Sequence, residues 1–137
     1  MRLKELKNKI EFEDILEKYH YDWDEISQHI YLSEEFMNYY KDNLNWIIIS
    51  GKQKLNESFI EKMKDYVNWR IISFSQELSE SFIEKYKNKV NWMYISEFQK
   101  LSESFIEKMK DYVNWNYIFE FQKLSKKFRE KYKNKFK

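Results

Sequence analysis

Residues 101–123 read LSESFIEKMKDYVNWNYIFEFQK, and much of the chain is a variation on that line. Residues 78–92 read LSESFIEKYKNKVNW and residues 55–69 read LNESFIEKMKDYVNW. Working outward, the five tryptophans Trp23, Trp46, Trp69, Trp92 and Trp115 are each 23 residues apart. The same step links Leu32, Leu55, Leu78, Leu101 and Leu124, and also Phe36, Phe59, Phe82, Phe105 and Phe128. A fixed period in the twenties means one supersecondary unit repeated along an array.

Each unit carries two helix starts. Ser102, with Ser33, Asn56, Ser79 and Ser125 at equivalent places, precedes an apolar-periodic run as an N-cap does. Asn114, with Asn45, Asn68, Asn91 and, in the first unit, Asp22, stands just before each Trp as a second N-cap. Helix A is expected over roughly Glu103 to Tyr112, with Leu101, Phe105, Met109 and Val113 along one side, and helix B over roughly Trp115 to Lys123. Helices this short are marginal alone and need packed neighbours. No period-two alternation and no hairpin turn chemistry argue for strands. The expected fold is all-α: an α-solenoid of five two-helix repeats in one domain, with units at about 9–31, 32–54, 55–77, 78–100 and 101–123.

The ends differ from the middle. Residues 124–137, LSKKFREKYKNKFK, form a helix A with no helix B behind it, as a capping helix would. In the divergent first unit Phe12, Ile15, Leu16 and Tyr19 supply the apolar stripe. Leu3, Leu6 and Ile10 are expected to extend that stripe. Atypical terminal units suit a finite solenoid and suggest a complete small protein.

The units that read LSESFIEK and VNW, followed by IS and Q, resemble the short tandem helical repeats of large DNA viruses and some phages. The likeness is good over residues 32–128 and loose over residues 10–31. It implies a binder of other proteins, and a viral source would direct it at a host or defence protein in the host cytoplasm, in one form as an inhibitor.

Helix B separates constant from variable positions. With Trp as zero and about 100° per residue, Ile at +3, Ser at +4 and Gln at +7 fall with Trp on one narrow stripe. The variable positions +1, +2, +5 and +6 form the opposite arc. At +1 and +5 stand Asp24, Ile47, Arg70, Met93 and Asn116, and Gln28, Gly51, Phe74, Glu97 and Glu120. Asp24, Gln28, Ile47, Arg70, Phe74, Met93, Glu97, Asn116 and Glu120 are the candidate partner-binding residues. Drift on a solvated face is the plain alternative, but large apolar groups in a row favour a partner surface. Tyr94, Tyr117, Phe98 and Phe121, at +2 and +6, fit either the arc or the core beneath the next helix A.

The net charge of +2 conceals segregation. Residues 11–45 carry ten acids against two bases, net −8, and residues 123–137 carry net +7. The basic end, with Lys126, Lys127, Arg129, Lys133 and Lys137, offers an alternative function in binding nucleic acid or another polyanion. A third reading is head-to-tail self-assembly between unlike ends. Two solubilising caps remain the plain alternative.

Catalytic chemistry has little to build on. There is no Cys and one Gly, which removes thiolate chemistry and glycine-rich phosphate loops. His20 and His29 are nine residues apart and do not recur in later units. Ser at +4 reads as a small residue where helices approach. Each Trp reads as core, with Gln at +7 as partner for its N–H. No enzyme activity, cofactor, metal or small-molecule substrate is expected. The absence of a signal peptide or a long apolar run argues for a cytoplasmic protein without membrane contact.

Overall fold

The computed structural model describes residues 2–29 and 31–136. All regular structure among them is helical. The helices are α1 (Leu3–Lys18), α2 (Trp23–Ser27), α3 (Glu34–Tyr39), α4 (Trp46–Lys52), α5 (Glu57–Lys62), α6 (Trp69–Ser75), α7 (Glu80–Lys85), α8 (Trp92–Phe98), α9 (Glu103–Lys108), α10 (Trp115–Phe121) and α11 (Lys126–Lys131). A 3-10 turn follows at Lys133–Lys135. The architecture is that of an α-solenoid, with helix pairs recurring every 23 residues.

Close contacts divide the chain into two compact halves, residues 1–68 and 69–137. In the first half α2 packs beside α4. In the second half α6 packs beside α8, and α8 beside α10. The B helices therefore lie next to one another within each half.

Capping side chains set where the helices begin. The Ser33, Ser79, Ser102 and Ser125 hydroxyls and the Asn56 amide oxygen each accept the backbone N–H three residues on, at 2.8–3.2 Å. Asn45, Asn91 and Asn114 cap the B helices in the same manner. Each such cap satisfies a donor that the helix itself leaves orphaned.

Both helices are shorter than the sequence suggests. Helix A of the fifth unit ends at Lys108 rather than Tyr112. Beyond it Tyr112 and Val113 both donate to the Met109 carbonyl, at 2.9 and 3.1 Å, winding the chain into a tight turn. The turn keeps Met109 and Val113 on the buried side, so the apolar spacing is helical while the backbone no longer is. Helix B ends at Phe121 because Gln122 leaves it in an extended conformation.

In each half, fully buried isoleucines recur at fixed places in the core. Ile26, Ile49, Ile72, Ile95 and Ile118 of the B helices are 0% exposed, as are Ile60, Ile83 and Ile106 of the A helices. The second set lies one residue past the conserved Phe and outside the stripe drawn from the sequence. Full burial of an Ile contributes roughly 1.5–3 kcal/mol, so these positions are a large part of the stability of each half.

The first unit departs from the pattern. Phe12 packs edge-on against Phe36 at 5.1 Å, and Leu16 is buried. Leu3, Leu6 and Ile10 do not extend that stripe, as the sequence suggested, but stay exposed. Nine residues separate Leu3 from Phe12, which at about 100° each is half a turn away. The chain leaves α1 through two left-handed residues, His20 (φ 52°) and Tyr21 (φ 57°), with the Tyr21 N–H bonded to the Leu16 carbonyl at 2.8 Å. That conformation costs about 1–2 kcal/mol per residue.

Candidate functional site

Helix B has a locked side and an open side. On the locked side, Gln99 is buried, and its amide donates to the carbonyls of Ser73 at 2.9 Å and Gln76 at 2.7 Å. Its Oε1 accepts the Leu78 N–H at 3.1 Å. Gln122 repeats all three bonds one unit later, to Ser96 and Gln99 at 2.7 Å and from Leu101 at 3.1 Å. In the first half Gln53 donates to the Ser27 carbonyl at 3.2 Å and to the His29 carbonyl. Gln53, Gln99 and Gln122 thus each tie their unit to the loop of the one before.

This corrects the role expected for that glutamine. The indole N–H groups of Trp46, Trp92 and Trp115 go instead to the carbonyls of Lys41, Lys87 and Lys110, at 2.8–3.0 Å. Those carbonyls lie in the turn after helix A, five residues back and within reach of the ring. The indoles are also less enclosed than core residues. Trp46 is buried, while the other four are half-buried. In the second half Trp115 stacks on Tyr132 at 4.8 Å, and Trp69 lies 4.9 Å from Tyr86.

Ser at +4 does more than save space. The Ser73 hydroxyl donates to the Trp69 carbonyl at 2.6 Å and accepts the Asn91 N–H at 2.9 Å. Ser27, Ser50 and Ser96 accept from Asn45, Asn68 and Asn114 in the same way. Each serine thereby fixes the start of the next helix B. At Phe119 the serine is replaced, and the ring lies 5.7 Å from Phe136 and beneath Arg129.

The open side carries the residues singled out in the sequence. Asp24, Gln28, Ile47, Arg70, Phe74, Asn116 and Glu120 are exposed, and Met93 and Glu97 half-exposed. In the first half Asp24 accepts from the Asn45 side chain at 3.0 Å and Gln28 donates to the Asp24 carbonyl at 3.3 Å. In the second half the structure brings Arg70 and Phe74 together around Tyr94. The Arg70 guanidinium donates to the Tyr94 hydroxyl at 3.1 Å and sits 5.5 Å from its ring centre. Phe74 lies 5.1 Å from Tyr94 and 5.9 Å from Phe98.

Two residues left undecided by the sequence belong to this surface. Phe98 and Phe121, at +6, are 54% and 47% exposed, beside Phe74 at 40%. Tyr94 and Tyr117, at +2, are half-buried along the edge of the same face. The recurrence of Phe at +6 in two successive units was the available signal. Its place on the flank of the helical wheel gave no way to choose between core and solvent.

The basic end is partly engaged within the protein. Lys126, Lys127, Arg129 and Lys133 are exposed, while Lys137 lies outside the described residues. Arg129 donates to the Phe119 carbonyl at 3.1 Å, and Lys133 pairs with Glu130 at 2.8 Å. Lys131 pairs with Glu107, which also accepts the Tyr132 hydroxyl at 2.5 Å. The Lys131 hydrogen bond, then that of Tyr132, hold the Glu107 carboxyl below its usual range. Glu107 in turn raises Lys131 and Tyr132.

Two of the charge pairs run between units. Lys108 meets Glu84 of the preceding unit at 2.7 Å, as Lys131 meets Glu107. Among the described residues, no group of three or more His, Asp or Glu is arranged to hold a metal ion. No helix among them is long and apolar enough to cross a membrane. Set against protein-family models, curated proteins and solved structures, the chain matches none.

Proposed function

We propose that this chain is a non-enzymatic module that binds another protein through the open side of its B helices. The observation that supports the reading is the row of water-facing rings Phe74, Phe98 and Phe121, on the side where the repeats differ. Adjacent exposed aromatics mark interaction surfaces, and aromatic and Arg side chains supply most hot spots. Arg70, Met93, Glu97, Asn116 and Glu120 frame these rings, and Asp24, Gln28 and Ile47 occupy the equivalent side of α2 and α4. Taken with the resemblance to repeats of large DNA viruses and phages, the target is a host or defence protein, met in the host cytoplasm.

The test compares the wild type with a Phe74→Ser, Phe98→Ser, Phe121→Ser variant as baits in extracts of the natural host. The expected result is a partner retained by the wild type and lost by the variant, at an unchanged melting temperature. Identical captures from both baits overturn the reading. A second reading rests on the net +7 of residues 123–137. Contact with RNA or DNA there would weaken steeply with salt and ignore the ring substitutions.

A further inference from the structure

We propose that the outward side of α1 docks on the α10–α11 end of a second copy of this chain, head to tail. The inference is independent of the partner reading above, because it uses none of the rings Phe74, Phe98 and Phe121 that carry that reading.

One half of the contact is a helix with two apolar sides. On one side Phe12 packs on Phe36 of α3 and Leu16 is buried. On the opposite side Leu3, Leu6 and Ile10 are 85%, 45% and 54% exposed. Continued at helical spacing, that exposed stripe runs into Glu13, Asp14 and Glu17, all facing solvent. The result is an apolar patch followed by an acidic one on a single helix face.

The other half has the complementary composition. Phe136 is 59% exposed and packs against Phe119 at 5.7 Å. Around this pair a groove is bordered by Lys126, Arg129 and Lys133. Arg129 stands 23 residues after Ile106, where earlier units bury Ile, and Lys126 stands where they have Glu. The last unit has thus exchanged a core residue and an acid for cations while exposing a ring. Glu130 in the same groove is paired with Lys133 at 2.8 Å.

Charge disfavours the symmetric pairing at the basic end, since two segments of net +7 repel, and it is Glu13, Asp14 and Glu17 of α1 that offer the opposite sign. Unlike surfaces meeting in this way form a heterologous contact, which continues as a ring or a filament.

Light scattering on size-separated protein, over a concentration series at low and high salt, reads the outcome. The wild type should rise above the mass of one chain with concentration and fall back with salt. An α1 variant, Leu6→Asp with Ile10→Asp, should be monomeric throughout. So should an end variant, Lys133→Glu with Phe136→Ser. Mixed, the two should form a one-to-one dimer and nothing larger, because one intact surface survives on each. Helical circular dichroism and melting identical to the wild type show that both variants fold. A monomeric wild type at every concentration overturns the proposal. So does an end variant that still assembles, which would indicate α1-to-α1 pairing, or a mixture that fails to dimerise.

Discussion

On α8, Ile95 and Ser96 are sealed from water while Met93, Glu97 and Phe98 reach it, though all lie within two turns of one helix. On the sealed side the constant Ile is fully buried, the constant Ser and Gln bond to a neighbouring unit, and the indoles of Trp46, Trp92 and Trp115 bond within their own. The open side carries fewer such bonds and varies more: +1 differs in every unit, while +5 and +6 repeat only between the last two units, as Glu97 with Glu120 and Phe98 with Phe121. The contrast teaches that the 23-residue repeat is enforced by couplings between units rather than by the helices themselves, which are only six or seven residues long from α3 onward. The sharpest way to break the contrast is to change one residue type on both sides. Ile95→Ala should cost about 2–5 kcal/mol in urea unfolding. Ile47→Ala, at a position 59% exposed, should stay within about 0.5 kcal/mol. Equal losses would mean that the two sides are not energetically distinct.

A second comparison uses glutamine. Gln99→Leu keeps the volume but leaves the Leu78 N–H and two carbonyls without their partner. Since an unmade buried bond costs about 1–3 kcal/mol, and local relaxation recovers part of it, the expected loss is about 2–4 kcal/mol. Faster amide exchange at Leu78 should accompany it. Gln28→Leu on the open side should leave both readings unchanged. If Gln99→Leu is neutral, the glutamine ladder does not hold the units together.

Much of the fold was legible because the 23-residue register exposes the N-caps, the conserved Leu, Phe and Ile, and the divergent ends. What escaped follows from bonds that span units. Trp and Gln both recur on the sealed side, and proximity on the wheel suggested that they pair. The indole instead finds a carbonyl in its own unit, and the glutamine reaches the preceding one. In α1 two apolar stripes, Leu3–Leu6–Ile10 and Phe12–Leu16, merge in the sequence yet point apart. Of the open surface, +1 and +5 were legible from their variability. Phe98 and Phe121 were not, because a flanking position depends on how closely the neighbouring helix approaches.

Gly51 turns the comparison toward a gain. It lies in α4, exposed, without positive φ. Nothing in that conformation requires glycine, so Gly51→Ala should raise stability by about 0.5–1 kcal/mol through the unfolded chain alone. A loss would show that the residue's backbone is in contact with something that a methyl group displaces.

The smallest effect concerns a coupling exposed to water, where Glu107 on α9 takes Lys131 and Tyr132 of the last unit. The carboxyl is lowered in the folded state, chiefly by the Lys131 hydrogen bond. Its contribution is therefore present above the ordinary carboxylate range, about pH 4, and is lost as pH falls through the lowered value. Lys131 and Tyr132 are raised, so theirs is present below the ordinary ammonium and phenol values and is lost as pH rises through the raised ones. The attachment of α11 should accordingly hold over a neutral plateau and loosen on either side. Trp115, stacked on Tyr132 at 4.8 Å, is the natural fluorescent reporter. Glu107→Gln removes the carboxylate and should flatten the acid limb of its titration without moving the midpoint of global unfolding at neutral pH by a comparable amount. An acid limb that persists in Glu107→Gln would place the titrating group elsewhere, among the other groups that join α11 to the preceding unit, such as Glu103 with Ser125.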